Sequence, residues 1–136
     1  GMSRYEWEKE ITKGEFEDVT WGKYGEDVPG STSRTDGLAN TDAMVLSHCP
    51  AALKVRELTI DGHADWYLPS LGEQNSAAAN VPELFDAEGD YWTSTQFSRD
   101  GAFVQDFEYG LSRWGGKGLR RRVRAFRRVQ LDLLNT

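Results

Sequence analysis

The thiol of Cys49 is the first group in this sequence that could do chemistry, because His48 precedes it and Pro50 follows, with Ser47 one residue further back. A cysteine beside a histidine can act as a thiolate nucleophile or contribute to a metal site. The favoured reading is plainer: a small buried hydrophobe at a helix end, the usual behaviour of a free cysteine. Cys49 is the sole cysteine, so the chain forms no internal disulfide. With His48 and His63 the only histidines, a zinc site would need several carboxylates, and neither a metal nor any other cofactor is expected. The sequence holds no G-x-S-x-G, no P-loop, no H-E-x-x-H and no C-x-x-C. Carboxylates are plentiful, but nothing marks two of them as a glycosidase pair. No catalytic residue is expected, and the chain reads as a binding domain rather than an enzyme.

Guanidinium groups are the second source of chemistry. The net charge is −6, yet residues 113–128 hold Arg113, Lys117, Arg120, Arg121, Arg122, Arg124, Arg127 and Arg128 and no acid. With +8 there against −6 overall, the remainder carries −14. Strand alternation would put Arg120, Arg122, Arg124 and Arg128 on one face with Phe126, about 6.5–7 Å apart, close to the repeat of a phosphate or sulfate polymer. That row is the candidate for polyanion binding, to a sulfated glycan or, less favoured, to nucleic acid. The alternative, which the −14 remainder favours, is a row satisfied by carboxylates of the same chain.

The third candidate is a mixed surface. Phe97, Arg99, Asp100, Gln105, Tyr109, Arg113, Trp114 and Lys117 bring aromatics, an amide and charges together along a Gly-rich stretch. Trp114, flanked by Gly115 and Gly116, is the leading residue. It either stands in solvent for a ligand or tucks under its own loop as a small satellite core, and the sequence does not choose.

These groups need elements to hold them. Tyr5, Trp7, Ile11, Phe16, Val19 and Trp21 suggest one or two short strands over residues 3–20. Residues 22–37 read as a loop, with Pro29-Gly30 as a turn. Asn40-Thr41 look like caps for a helix over Asp42 to Leu46, and Pro50 suits the first turn of a second helix, Ala51 to Leu58, closed by Asp61-Gly62. Ser70 and Glu73 stand at capping-box spacing for a helix to about Asn80. Tyr91 to Phe97 and Ala102 to Tyr109 alternate as a hairpin about Ser98 to Gly101. A Gly-rich segment, 110–118, then leads to a strand from Leu119 to Val129. Helices in the middle and antiparallel strands at the end make the chain α+β. Its 136 residues suit a single domain over 1–136, with 38% hydrophobic residues enough for one core. No stretch is long and apolar enough to span a membrane, and the N-terminus lacks a signal-peptide layout. Gly1 ahead of Met2 looks like a tag-cleavage scar.

Four blocks, in order, carry a family resemblance: Trp21-Gly22-Lys23-Tyr24-Gly25, Gly37-Leu38-Ala39-Asn40-Thr41, Gly62-His63-Ala64-Asp65-Trp66-Tyr67-Leu68-Pro69-Ser70 and Tyr91-Trp92-Thr93-Ser94-Thr95. The ending Val123-Arg124-Ala125-Phe126-Arg127 adds a fifth. The chain resembles the bacterial and phage domain family typified by the C-terminal domain of the Legionella collagen-like adhesin. The resemblance implies a C-type-lectin-like fold, related to non-catalytic relatives of formylglycine-generating enzyme, with two central helical segments on a small twisted antiparallel sheet. It implies recognition of a glycan or protein receptor by a domain displayed on a cell surface or virion, and by analogy a trimer. Calcium is left open, since the lectin motifs E-P-N and Q-P-D are absent. The segment Leu71-Gly72-Glu73-Gln74-Asn75 departs from the charged helix start usual in the family.

Asp65, Trp66, Leu68 and Pro69, with Trp92, are expected to be structural: buried indoles, and a carboxylate capping nearby backbone. The alternative for Asp65 and Trp66 is a sugar-binding pair.

Overall fold

The structure, a computed structural model, describes residues 14–128. Tyr5, Trp7, Ile11 and Val129, expected in strands, lie outside the described residues. Among those described, the order is β1 (Glu15–Thr20), α1 (Gly37–Leu46), α2 (Pro50–Arg56), α3 (Leu71–Asn80), a 3₁₀ turn (Pro82–Leu84), β2 (Asp90–Gln96), β3 (Gly101–Asp106), β4 (Ser112–Gly116) and β5 (Arg120–Arg124). The chain is α+β. The five strands form one sheet in the order β1-β5-β2-β3-β4. It is mixed rather than antiparallel as expected, because β5 enters between β1 and β2 and runs parallel to β2. Three α-helices accompany it, the number the local signals give, against the two central segments implied by the resemblance.

Two elements form as their local chemistry dictates. Ser70 caps α3 by accepting from the Glu73 N–H, while the Glu73 carboxylate accepts from the Ser70 N–H. Such reciprocal caps satisfy two donors a helix start leaves open, and losing one costs about 1 kcal/mol. The Glu73 carboxylate also accepts from the Gly37 N–H and the Tyr67 hydroxyl, so one side chain ties together the starts of α1 and α3. At the end of α2, Asp61 and Gly62 both have positive φ, 50° and 81°, and Ile60 and His63 exchange both backbone bonds at 3.0 Å. That is a tight two-residue turn, and Asp tolerates the left-handed position better than most residues.

The expected start of α1 was displaced. Its cap is Asp36, whose carboxylate accepts from the Ala39 N–H. Asn40 and Thr41 lie inside the helix and are buried. Asn40 accepts from the Ser33 N–H and donates to the Ser33 carbonyl and Ser94 Oγ, while the Thr41 hydroxyl serves Gly37 and Leu68. They are polar tethers between helix, loop and sheet. The helix α2 ends at Arg56, two residues short of the expected Leu58.

The largest difference is in the Gly-rich stretch. Residues 112–116 are a strand, paired with β3 over five consecutive positions from Gly101↔Gly116 to Gln105↔Ser112. The glycines are required by what packs on them. A Cβ at Gly115 would stand 2.7 Å from the Arg121 guanidinium, and one at Gly101 would stand 2.7 Å from the Trp114 ring. The strand β5 is correspondingly shorter than expected.

Alternation divides the core between the sheet faces. One face carries Trp92, Val104 and Val123 with Trp21, Met44, Trp66 and Leu68; the other carries Tyr91, Phe107, Phe85 and Ala77. The register of β2 slips between Trp92 and Gln96, and Thr93, Ser94 and Thr95 are all buried in this central strand. Thr95 accepts from the Leu71 N–H and donates to the Ser33 carbonyl, which fixes the loop before α1 over the sheet.

Candidate functional site

The structure separates the eight residues expected to form one binding surface. Phe97 leaves the end of β2, and Trp114 stands at the middle of β4, directly opposite Phe103 on β3. The Phe97 and Trp114 rings stack with centroids 5.2 Å apart and planes 11° apart. Phe97 meets Phe103 edge-on at 5.4 Å, and the Arg34 guanidinium lies over Phe103 at 5.2 Å. Trp114 remains 54% exposed and Phe97 50%. The indole is therefore neither free nor tucked under its own loop; it is half of an exposed aromatic stack.

Glycines make the floor of this platform. Gly101, Phe103, Trp114 and Gly116 share one sheet face. The Trp114 ring lies over Gly101, and a Cβ at Gly116 would touch the Tyr24 ring at 3.8 Å and Leu119 at 4.0 Å. Tyr24 and Leu119 are exposed, so the apolar surface continues from Phe103 through Trp114 to the loop around Tyr24. Contiguous exposed apolar area of this kind marks a site of interaction more often than isolated exposed residues do. Arg99 and Asp100 sit in the adjoining turn, held by a bond from the Gly25 N–H to the Arg99 carbonyl.

The remaining four expected residues are elsewhere, which corrects the predicted surface. Lys117 is 0% exposed. Its ammonium donates to the Glu26 carbonyl and Gln96 Oε1, both at 2.6 Å, and lies 4.9 Å from the centre of the Trp21 ring. Burial pushes its pKa below the usual lysine value, partly opposed by the field of surrounding acidic groups. Gln105 is buried under α3, donating to the Asp106 carbonyl and accepting from Ser112 Oγ. Arg113 stands on the sheet face opposite Trp114 and pairs with Asp90. Tyr109 is exposed, but in the β3–β4 turn at the far end of the hairpin from Phe97.

The arginine strand is largely neutralised. Arg122 meets Glu15, Glu17 and Asp86; Arg124 meets Glu15; Arg121 meets Asp90; Arg127 meets Asp65; Arg128 meets Asp36. Arg124 is 4% exposed, packed on Phe85 and Tyr91, and also donates to the Leu84 carbonyl. Arg120 is exposed and forms no ion pair among the described residues. The carboxylates come from β1, the start of β2, the cap of α1 and the loops after α2 and the 3₁₀ turn, so the acidic remainder does meet the basic end.

The motif residues are buried except for Asp65. Trp66 and Trp92 are buried, their indoles donating to the His63 and Val19 carbonyls. Leu68 and Pro69 are buried beside them. Asp65 is exposed and pairs with Arg127 at 2.6 Å, rather than capping backbone. Cys49 is buried against Gly22 while His48 is exposed, and burial pushes its thiol up to about 11. Among the described residues, no three of His, Cys, Asp and Glu are grouped to hold a metal ion.

A concavity of about 460 Å³ runs between α3, the 3₁₀ turn and the end of β5 with the residues that follow it. Its walls are Ala77, Val81, Leu84, Phe85 and Phe126. The charged groups at its rim, Glu73, Arg124 and Arg127, are already engaged within the chain. It offers apolar wall without an uncommitted charge.

Sequence reasoning missed Arg34, Phe103, Tyr24 and Leu119 as parts of the platform. Phe103 carried a legible signal, since alternation in β3 places it opposite the buried Ala102 and Val104. Arg34, Tyr24 and Leu119 arrive from loops, and no local pattern connects them to β4. No protein-family model matches the sequence, and none of the curated proteins matches it. The helices of the described residues include none long and apolar enough to cross a membrane.

Proposed function

We propose that this chain is a non-enzymatic recognition domain that binds a glycan or protein receptor through the platform of Phe97, Phe103 and Trp114. The observation that carries this reading is the half-exposed Trp114–Phe97 stack, kept flat and accessible by Gly101 and Gly116. Large, preorganised aromatic rings lose little conformational freedom on binding and dominate recognition surfaces for that reason. Four groups that could attack or transfer protons are committed elsewhere: the Cys49 thiol is buried and protonated, and Glu15, Asp65 and Asp90 are paired.

The α+β arrangement is compatible with the C-type-lectin-like fold that the sequence blocks resemble. Burial of Trp66, Leu68, Pro69 and Trp92 supports a structural role for the blocks carrying that resemblance. Display on a cell surface or virion follows from the resemblance alone. The polyanion reading loses support from the ion pairs along and after β5, which among the described residues leave Arg120 alone of the four expected row residues without a carboxylate.

The test is to probe glycan and peptide arrays with the wild type and with Trp114→Ala. Ligands retained by the wild type and lost by the variant are expected. Retention that is indifferent to Trp114→Ala and to Phe97→Ala would remove the platform as the site.

A further inference from the structure

Beside the platform lies a second binding resource, the open edge of the sheet. The strand β4 is outermost, paired only with β3 among the described residues. Its backbone orientation follows from two flanking bonds: the Asp106 N–H donates to the Leu111 carbonyl, and the Lys117 N–H donates to the Asp100 carbonyl. Even-numbered residues of β3 therefore direct their backbone groups at β4. The exchanging pairs are Ala102 with Gly115 and Val104 with Arg113. Ser112, Trp114 and Gly116 direct theirs away from the sheet. Of these outward groups, the Gly116 carbonyl is taken by the Leu119 N–H. Those of Ser112 and Trp114 have no backbone partner among the described residues.

Sheet edges are ordinarily blunted by short length, charged side chains, proline, a bulge or covering structure. The five-residue strand Ser112-Arg113-Trp114-Gly115-Gly116 has no proline and an unbroken register with β3, and its one charge, Arg113, is paired with Asp90 on the face away from Trp114. Charge then selects among occupants. Arg34 and Arg99 have no carboxylate partner among the described residues, in contrast to the arginines after β4. Arg34 caps the aromatic cluster through Phe103, and Arg99 lies two residues beyond Phe97. The one carboxylate of that turn, Asp100, lies against Gly25.

We infer that the receptor's contact region is an extended acidic segment of a partner protein, added as a sixth strand along β4, with an apolar side chain seated beside Trp114. This rests on the platform reading and names its ligand class. An extended peptide is the ligand that uses all three features at once: outward backbone groups, an aromatic floor on one face, and uncommitted guanidinium groups at the rim. A residue paired across from Trp114 falls within reach of its ring. An acidic oligosaccharide would use the floor and the charges but not the alternating amide and carbonyl groups.

The experiment uses the full chain and a short synthetic peptide alternating glutamate with phenylalanine. Controls are the lysine–phenylalanine counterpart, a version with N-methyl groups on alternate backbone amides, and an oligogalacturonate. Binding is read by fluorescence titration, and the edge by amide hydrogen exchange at Ser112 and Trp114. The expected result is saturable binding of the acidic peptide, slower exchange at both amides, and at least about tenfold weaker binding for the lysine and N-methyl versions and for Arg99→Glu. Binding that requires Trp114 without protecting the two amides, or oligogalacturonate binding that the peptide cannot match, overturns the strand addition while leaving the platform standing. No binding of the acidic peptide overturns the inference outright. Peptide binding unchanged by Trp114→Ala overturns both.

Discussion

The ring of Trp114 lies parallel to that of Phe97, 5.2 Å away, although one belongs to an edge strand and the other to the end of a strand two places across the sheet. The relationship depends on what is absent between them. Gly101 turns the chain from β2 into β3 beneath the indole, and its missing Cβ is the space in which the ring lies.

Gly101→Ala is therefore expected to disturb the platform without dissolving the fold. A Cβ there would stand 2.7 Å from the Trp114 ring and 3.0 Å from the Gly115 carbonyl oxygen, so the exposed ring must move outward and β4 must ease away, at a cost of about 1–3 kcal/mol. Near-ultraviolet circular dichroism should change while the far-ultraviolet spectrum holds. An unchanged near-ultraviolet spectrum would mean that the stack does not depend on the glycine floor.

Arg124→Ala and Arg120→Ala should differ sharply, though both remove an arginine from β5. Arg124 is buried, and its loss leaves the Glu15 carboxylate beside the Tyr91 hydroxyl with only the shared Arg122 guanidinium at 3.6 Å, and empties the space packed on Phe85. A destabilisation of about 3 kcal/mol is expected. Arg120 is exposed and without an ion pair among the described residues, so its loss should fall within about 0.5 kcal/mol. Equal effects in denaturant unfolding would contradict the assignment of β5 as a paired, structural strand.

Lys117 makes stability depend on alkaline pH in a direction the burial fixes. Its folded pKa is depressed below the usual 10.5, so between the two values the unfolded chain binds the extra proton. Stability then rises as pH climbs through the folded pKa towards 10.5, and the desolvation penalty is fully present below it. Urea unfolding of the wild type and of Lys117→Met across this range should show the difference moving in favour of the wild type. A flat or opposite trend would place the ammonium in water.

The thiol of Cys49 should be inert in the native state. It is buried, and its pKa of about 11 leaves little thiolate near neutrality. Alkylation is expected to follow the rate of unfolding in a denaturant series. Rapid labelling of the native protein would reopen a nucleophilic role.

The parts of the fold legible in advance were those whose causes are local. The Ser70–Glu73 capping box, Pro50 at the start of α2 and the hairpin about Ser98 to Gly101 rest on neighbours in sequence, and each stands where spacing placed it. Asn40 and Thr41 misled because the same short polar side chains that cap helices also bridge buried backbone, and their partners Ser94 and Leu68 are distant. β4 was hidden by Gly115 and Gly116, residues that ordinarily weaken a strand. Here they admit Arg121 from below and Tyr24 from above, contacts no local window contains. Lys117 is the same case for the site: a lysine in a Gly-rich stretch reads as exposed until Glu26, Gln96 and Trp21 close around it. Phe97 and Trp114 were legible as candidate binding residues by type, whereas their stacking and the proximity of Arg34 and Phe103 were tertiary facts.

The most direct test of the account is the dissociation constant of the tightest array ligand, measured for the wild type, Trp114→Ala and Arg120→Ala at matched salt. The platform predicts a loss of at least about tenfold for Trp114→Ala, with stability held within about 1 kcal/mol, and no change for Arg120→Ala. Unchanged affinity in Trp114→Ala, with weakening confined to Arg120→Ala, would contradict it and return the binding surface to the arginine strand.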